Sequence, residues 1–374
     1  MLRAIISGTG IYTPPYAISN EQLVASFNEY AAQYNREHAS RIAAGQLAAR
    51  EPSDAAFIES VSGIQSRYVI EPEGVLDPKR MRPHFPQRPN EALSLQAEIS
   101  LSAARGALEA AGRKPADIDA VIVACANMQR AYPAMAIEVQ NALGIEGFAY
   151  DLNVACSSAT FGIQAAYNAV QSGAARAVLM VNPEITSAHL NFKDRDSHFI
   201  FGDVCTAVVV ERADGHQSRD AYEILSTRLQ TQFSNNIRNN FGFMNRCEDS
   251  DPEADDKLFV QQGRKVFKEV VPMVIKLLSE HLSDNQLTPH DLKCLWLHQA
   301  NIKMNQLIVH KLLGREASPA EAPTILDEYA NTASAGSVIA FHQHRAHMQP
   351  GDLGVICSFG AGYSIGNVLV RKLV

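Results

Sequence analysis

The chain has 374 residues, of which 46% are hydrophobic and 20% are charged, and its formal net charge is −7. This balance is typical of a globular α/β protein, and the acidic charge lacks the basic footprint of a nucleic-acid-binding protein. No stretch of about 18 apolar residues occurs, so we expect no membrane-spanning helix. Residues 1–8 read as a first strand, too short for the apolar region of a signal peptide, so we expect a cytoplasmic protein.

The next elements along the chain are two stretches of distinct composition. Residues 28–54 are rich in alanine, and their apolar residues recur at helical spacing. Residues 75–91 are rich in proline and arginine, which predicts a loop. The six cysteines lack the spacing of metal ligands, so we expect no metal site.

Cys156 lies where a predicted strand gives way to a helix. Residues 147–152 read as a short buried strand, and apolar residues at helical spacing follow until Gly173 ends the helix. A cysteine at the first turn of a helix faces unpaired N–H groups and the positive end of the dipole, which favour the nucleophilic thiolate. The alternative is a small apolar residue that packs the junction between strand and helix.

The chain also contains an internal duplication. Residues 115–127 match residues 289–301 without a gap, because proline, aspartate, alternating apolar residues and Ala-Asn recur in both. Further matches follow in the same order: 137–144 with 307–314, Ala155-Cys156-Ser157 with Ala330-Asn331-Thr332, and 173–181 with 351–359. Two copies of strand, helix, strand, helix, strand predict parallel strands covered by helices. We therefore predict a duplicated α/β fold with halves 1–214 and 215–374.

The duplication places polar residues at matching strand ends. The strand of the first half ends in Ala-Cys-Ala-Asn at 124–127, whereas its counterpart ends in His298-Gln-Ala-Asn. Ligand sites of open parallel sheets lie beyond the carboxyl ends of the strands, so we expect Cys156, His298 and Asn331 to meet there. Taken singly, a histidine is usually structural or exposed, and an asparagine is more often a helix cap.

These residues resemble the thiolase-like condensing enzymes, specifically the ketoacyl-acyl-carrier-protein synthase III group. The resemblance extends from residue 5 to residue 371 and includes these motifs: Ala155-Cys156-Ser157, Phe201-Gly202-Asp203, His298-Gln299-Ala300-Asn301, Asn331-Thr332 and Phe359-Gly360-Ala361-Gly362. Plant-type polyketide synthases share the Cys-His-Asn triad, but the short chain and the His-Gln-Ala-Asn string favour the synthase III group. The resemblance implies a thiolase-like fold with layers in the order α-β-α-β-α.

The resemblance further implies an acyltransferase that works without a cofactor through the triad Cys156, His298 and Asn331. An acyl-CoA primer acylates Cys156, while backbone N–H groups of Cys156 and Ala361 form the oxyanion hole. A malonyl thioester on acyl carrier protein, or on coenzyme A, then loses carbon dioxide, and its enolate attacks the acyl-cysteine. The product is a 3-oxoacyl chain for fatty acid biosynthesis.

Two other functions stay open at this point. The same acyl-cysteine could pass its acyl group to an amine or hydroxyl in secondary metabolism. A non-catalytic scaffold is disfavoured because Cys156 is present. Release of carbon dioxide separates condensation from simple acyl transfer.

Alignment with the family also assigns residues to carrier binding. It implies that Arg195 and Asn301 contact the coenzyme A or pantetheine arm. Lys303 is expected in a basic rim that holds an acidic carrier protein, a contact that salt weakens. The alternative for Arg195 is a surface ion pair with Asp194 or Asp196.

The acyl pocket is expected to involve Phe57, Tyr132 and Phe201. In this family an aromatic residue before proline reaches across a two-fold dimer and closes the partner's pocket. Tyr132 precedes Pro133 and takes that position, which implies a homodimer.

Departures from the family pattern point to an altered pocket. Ala330 stands where the family usually has glycine, and the segments 28–54, 75–91 and 232–257 are extra. Extra segments at the rim of an α/β site form lids or walls, or they merely decorate a solvated face. An apolar tunnel gains about 0.8 kcal/mol per buried methylene, so a longer tunnel favours an octanoyl over an acetyl primer. We predict a medium-chain acyl-CoA primer.

Overall fold

A computed structural model describes residues 2–249, 251 and 254–374. The strands are β1 Ala4–Tyr12, β2 Tyr16–Ser19, β3 Ser66–Val69, β4 Ala120–Ala124, β5 Phe148–Leu152, β6 Ala177–Glu184, β7 Val204–Arg212, β8 Tyr222–Ser234, β9 Ile237–Arg238, β10 Val260–Gln261, β11 Leu292–Leu297, β12 Leu353–Gly360 and β13 Gly362–Lys372. The α-helices are α1 Asn20–Glu37, α2 Ala39–Ala43, α3 Ala55–Ser62, α4 Pro72–Leu76, α5 Leu95–Ala111, α6 Met135–Leu143, α7 Ser158–Ser172, α8 Gly263–Asp284, α9 Ile302–Leu313, α10 Leu326–Tyr329 and α11 Gly336–Gln343.

The main sheet repeats one strand order in the two parts of the chain. The first part runs β5-β4-β6-β7-β1, and the second runs β11-β12-β13-β8, joined where β1 pairs with β8. Strands β5, β4 and β6 are parallel, as are β11 and β12, whereas the pairs of β7 with β1 and of β13 with β8 are antiparallel. The duplicated order agrees with the sequence, but the prediction of parallel strands was wrong for the inner part, where the sheet is mixed.

Five layers follow from what each helix packs against. The pair α7 and α11 lies between the two parts of the sheet, because one buried cluster contains residues of both helices and of strands from both parts. Helices α5 and α6 cover the outer face of the first part. Helices α8 and α9 cover the outer face of the second part. The α-β-α-β-α architecture predicted from the sequence is confirmed.

Two glycines let α5 lie directly on β1. An added Cβ at Gly8 would stand 2.2 Å from the Ala107 carbonyl oxygen, and one at Gly10 would stand 2.0 Å from that of Ala103. The alanines on the helix side are fully buried, so strand and helix backbones touch. Ser94 caps this helix, since its hydroxyl accepts from the N–H of Ala97 at 3.1 Å.

The three extra segments differ in secondary structure. The stretch 28–54 contains the end of α1 and all of α2, as its helical spacing predicted, and 75–91 is irregular after α4. The stretch 232–257 includes β9, and its residues 250, 252 and 253 lie outside the described residues. None of the helices in the described part of the chain has the length and apolar character needed to cross a membrane.

Candidate active site

Cys156, His298 and Asn331 line one cavity of about 470 Å³. Cys156 lies in a 3-10 turn, Ala155–Ser157, between β5 and α7. His298 directly follows β11, and Asn331 directly follows the last turn of α10 and Ala330. Three elements from two parts of a duplicated sheet therefore bring a thiol, an imidazole and a carboxamide to one space.

The loops of Cys156 and Asn331 are copies of one turn. Ala155 and Ala333 have φ values of 45° and 47°, and each begins a 3-10 turn that leads into a central helix, α7 or α11. Asn331 thus corresponds to Asn153, and Cys156 corresponds to Ser334. The comparison of the two halves by sequence, which matched Asn331 with Cys156, was wrong by three residues. It relied on the alanine before each residue and the hydroxyl residue after it, whereas the true match depends on the backbone geometry of the turn.

The thiol of Cys156 is held against the backbone of the C-terminal loop. An added Cβ at Gly360 would stand 2.9 Å from Sγ, so only glycine leaves room at that position. Burial raises the pKa of Cys156 to about 11, while hydrogen bonding from the Ala361 backbone opposes the rise. Burial thus shifts this pKa upward, in the direction opposite to the one expected for a cysteine at the start of a helix.

His298 is a neutral imidazole in a dry environment. It is 2% exposed, and burial lowers its pKa to about 4, while hydrogen bonding with the Ala333 backbone acts in the opposite direction. Its ring stands edge-on to Phe359 with centroids 5.3 Å apart. Backbone bonds fix its position, since its N–H donates to Cys357 and its carbonyl accepts from the Asn305 side chain. A neutral imidazole offers one N–H donor and one acceptor nitrogen.

Asn331 is fixed by its own backbone and by its side-chain oxygen. Its N–H donates to the carbonyl of Ile200 at 2.9 Å, and its carbonyl accepts from Gly202 at 3.1 Å. The side-chain Oδ1 accepts from the N–H of Ala333 at 2.9 Å, which leaves the amide Nδ2 to donate to a ligand. The preceding Ala330 has φ 55° and ψ −155°, a conformation that favours glycine, the residue usual in the family at this place.

Of the residues assigned to carrier binding, the structure brings one to the cavity. Asn301 lines it, but Oδ1 caps α9 by accepting from Lys303 and Met304, and Nδ2 donates to the carbonyl of Val61. Arg195 is exposed, and its side chain donates to the Pro52 carbonyl at 2.7 Å. Lys303 is exposed and lies outside the cavity lining.

The residues assigned to the acyl pocket separate in the same way. Phe201 is buried and lines the cavity. Phe57 is 51% exposed and lies outside the lining, with the Arg195 guanidinium 6.0 Å from its ring, so the pocket assignment of Phe57 was wrong. On α3 the neighbouring Ile58 faces the core, which turns Phe57 to solvent. Tyr132 is 85% exposed and does not line the cavity of its own chain.

Sequence reasoning missed two cations at the cavity. Arg264 and Lys268 line it from the first turns of α8. They are four residues apart and therefore lie on one face of the helix. Two basic residues at that spacing, directly after an extra segment, were the available signal.

An aromatic wall closes one side of the cavity. The rings of Phe201 and Phe259 meet edge to face with centroids 4.6 Å apart, and His189 lies 5.2 Å from Phe201 and 6.2 Å from Phe259. Phe201 and Phe259 line the first cavity, whereas His189 lines a second cavity of about 1630 Å³. Ile237, from the extra stretch 232–257, completes this side of the first cavity.

The duplicated five-layer fold, with a cysteine, a histidine and an asparagine at one cavity, defines the class of thiolase-like condensing enzymes. Family models match two stretches: 3-oxoacyl-[acyl-carrier-protein] synthase III at residues 150–232 and its C-terminal part at residues 282–372. The chain is similar to a beta-ketodecanoyl-[acyl-carrier-protein] synthase of Pseudomonas aeruginosa, with 62% identity over 347 residues, 93% of this chain and 99% of that protein. It belongs to the 3-oxoacyl-[acyl-carrier-protein] synthase III family.

More distant proteins agree on the fold. A beta-ketoacyl-[acyl-carrier-protein] synthase III of Granulibacter bethesdensis is 28% identical over 375 residues, covering 99% of this chain and 100% of that one. The 3-oxoacyl-[acyl-carrier-protein] synthase III structure from Aquifex aeolicus superposes with a TM-score of 0.75 at 23% identity, covering 98% of this chain and 99% of that one. The priming beta-ketosynthase of the R1128 polyketide pathway gives 0.77 at 24% identity, covering 99% and 96%.

Proposed function

We propose that the protein condenses a medium-chain acyl-CoA primer with malonyl-acyl carrier protein, without a cofactor, and releases a 3-oxoacyl product for fatty acid biosynthesis. The observation that carries this proposal is the shared cavity of Cys156, His298 and Asn331. The family membership supports the condensing chemistry, and the name of the Pseudomonas aeruginosa relative indicates a ten-carbon product. Condensation with malonate adds two carbons, so an eight-carbon primer matches that length.

In the first step the acyl group moves from coenzyme A to Cys156. The neutral thiol gives its proton to the free ring nitrogen of His298 as Sγ attacks the thioester carbonyl. The N–H groups of Cys156 and Ala361 receive the oxyanion, because both approach the sulfur from the backbone. The coenzyme A thiolate leaves and takes the proton from His298, so the thiol of coenzyme A is released.

In the second step the malonyl thioester loses carbon dioxide, and the electrons of the broken C–C bond form an enolate. The Nδ2 of Asn331 donates to the enolate oxygen, and neutral His298 donates beside it in the tautomer that carries its single proton on the cavity-facing nitrogen rather than toward the Ala333 carbonyl. The enolate carbon attacks the acyl-cysteine carbonyl, and the C–S bond to Cys156 breaks. Cys156 recovers a proton from solvent, and the 3-oxoacyl chain leaves on its carrier.

The aromatic wall supports a medium-chain primer. The cavity side of Phe201 and Phe259 is apolar. An acyl chain on Cys156 that lies along this side gains about 0.8 kcal/mol of binding free energy for each methylene it buries. Ile237 and Phe259 belong to or border an extra segment, which agrees with a pocket remodelled in this chain.

Basic residues at the cavity support binding of an acidic carrier protein. Arg264 and Lys268 at the cavity mouth suit the phosphate of a pantetheine arm and an acidic carrier protein, and we place the reaction in the cytoplasm.

Strand β5 is the edge of the main sheet, and it exposes the stacked rings of Phe148 and Tyr150. A second copy of the chain at this edge would cover them, which supports a homodimer. Replacing Tyr150→Glu is expected to yield monomers in light scattering.

The test is a panel of acyl-CoA primers from two to twelve carbons with malonyl-acyl carrier protein. We expect carbon dioxide release and a 3-oxoacyl product, with the optimum near eight carbons. Acyl transfer to an amine or hydroxyl without carbon dioxide release would replace condensation by the alternative acyltransferase. An optimum at acetyl-CoA would contradict the medium-chain primer while leaving condensation in place.

A further inference from the structure

Glu184 is a buried carboxylate next to the active site with no part in the steps above. It ends β6 and is 1% exposed. Its Oε1 accepts from the N–H of Ser334 at 3.2 Å, from the Ser334 hydroxyl at 2.5 Å and from the N–H of Ala126 at 3.1 Å. Backbone N–H groups and a hydroxyl thus satisfy a charge that is costly to bury.

One side of this network leads to Asn331 and His298. Ser334 directly follows Ala333, whose N–H holds the Oδ1 of Asn331 at 2.9 Å. The backbone of Ala333 also hydrogen bonds with the imidazole of His298. Fixing Ser334 therefore fixes the turn that aims both enolate donors.

The other side leads to Cys156. Ala126, which donates to Glu184, uses its carbonyl to accept from the Asn153 side chain at 2.9 Å. The Oδ1 of Asn153 in turn accepts from the N–H of Ala155 at 2.9 Å, one residue before Cys156. One carboxylate therefore connects two catalytic loops that belong to different parts of the duplicated sheet.

The duplication explains why a carboxylate fits there. Ser334 corresponds to Cys156, so the N–H of Ser334 is the counterpart of an oxyanion-hole donor. The counterpart of Ala361 is Pro183, which has no N–H to donate. The unused copy of the hole holds the Glu184 carboxylate in place of a substrate oxyanion.

We propose that Glu184 is a positioning residue, whose carboxylate sets the Cys156 loop and the Asn331 loop in one geometry for condensation. The inference rests on the proposed function. Burial raises the pKa of Glu184 to about 7, and the charge of Asp203 adds to the rise. Hydrogen bonds from Ser334 and Ala126 act in the opposite direction and lower this pKa. Burial is the main cause that raises the pKa values of the Cys125, Cys156 and Cys205 thiols, and the Glu184 charge adds to the rise in each.

The test compares Glu184→Ala and Glu184→Gln with Glu211→Gln, a buried glutamate of β7 that pairs with Arg113. We expect Glu184→Ala to lower kcat for condensation about 10- to 100-fold with KM for malonyl-acyl carrier protein nearly unchanged, since misplaced donors act in the transition state. Glu184→Gln keeps an acceptor oxygen and should retain most of kcat. Glu211→Gln should match the wild type.

Alkylation of Cys156 gives a second readout that does not need condensation. Removing the charge in Glu184→Gln should shift the pH profile of alkylation by iodoacetamide to lower pH, and Ser334→Ala should leave that profile in place while lowering kcat. Wild-type kcat in folded Glu184→Ala, or an unchanged alkylation profile in Glu184→Gln, would overturn the inference. Absence of carbon dioxide release by the wild type would overturn only the proposed function.

Discussion

Asn153 and Asn331 make the same hydrogen bond in two different loops: each Oδ1 accepts from the backbone N–H two residues further on, at 2.9 Å. In the first loop the asparagine is exposed and the cysteine three residues on lines the cavity. In the second loop the asparagine itself lines the cavity, and the counterpart of the cysteine, Ser334, binds Glu184. A single ancestral turn thus serves two tasks by changing which of its positions meets the substrate.

The two enolate donors should separate when each is replaced. The Asn331→Ala variant is expected to acylate Cys156 normally, whereas its rate of decarboxylation should fall roughly 100-fold, the usual effect of deleting an oxyanion donor. His298→Ala should impair both steps, because the neutral thiol then has no proton acceptor. Intact-protein mass spectrometry follows the acyl adduct, and carbon dioxide release follows decarboxylation. Cys156→Ala should show no adduct; rapid acylation of His298→Ala would remove His298 from the first step.

The raised pKa of Cys156 predicts a distinct pH dependence. The thiol is protonated below its pKa of about 11, so its alkylation by iodoacetamide should rise about tenfold per pH unit between about pH 7 and pH 9. A thiolate paired with a protonated imidazole would instead react at a constant rate over that range. The measurement uses Cys247→Ser protein, because Cys247 is exposed and would add background.

Chain length should respond to the aromatic wall. Phe259→Ala removes one ring between the two cavities and is expected to move the primer optimum from about eight carbons to longer chains, since each added methylene gains about 0.8 kcal/mol. Phe243→Ala serves as the matched control because that ring is 84% exposed. An identical length profile in both variants would show that the chain takes another path.

Carrier binding should depend on Lys268. Lys268→Glu reverses a charge at the cavity mouth and is expected to raise KM for malonyl-acyl carrier protein about tenfold at low salt, and less at high salt, because exposed charges are screened. Lys276→Glu lies two turns further along α8, away from the cavity, and should leave KM unchanged. Equal effects of the two reversals would assign the change to net charge alone.

The strained residue before Asn331 should be improvable. Ala330 adopts a positive φ of 55°, which costs a non-glycine residue about 1 to 3 kcal/mol. Ala330→Gly is therefore expected to raise the free energy of unfolding by about 1 kcal/mol in guanidinium titrations, net of the added chain entropy. Ala340→Gly, in the middle of α11, should lower it by about 1 kcal/mol.

The sequence predicted the layered fold and the residues around the cavity because both depend on local patterns. Apolar periodicity reveals the two halves, as do the proline and aspartate that precede an apolar strand in each of them. The halves differ in sequence at Cys156, His298 and Asn331. It did not predict the protonation of Cys156, since desolvation depends on how the Gly360 backbone closes over the sulfur. Local helix-terminus effects pointed in the opposite direction.

Other errors share a cause, which is that side-chain direction comes from packing. Phe57 was assigned to the acyl pocket from alignment, but the burial of Ile58 turns it to solvent. Asn301, in contrast, lines the cavity while its carboxamide caps α9 and donates to Val61, so its contact with the carrier arm stays a prediction. Glu184 gave no signal in sequence, because its partners lie in loops that only the fold brings together.

Strand β1 lies at the centre of the main sheet, although it precedes every other described strand along the chain. Residues 4–12 pair with 205–212 of β7, and Ile5 and Ile6 pair with Glu223 and Tyr222 of β8. The nascent chain must therefore keep an apolar, unpaired strand in solution while about 200 residues are made, and long-range pairing of this kind is slow. Unpaired apolar strands promote aggregation, so the sheet is expected to be vulnerable until β7 and β8 cover both edges of β1.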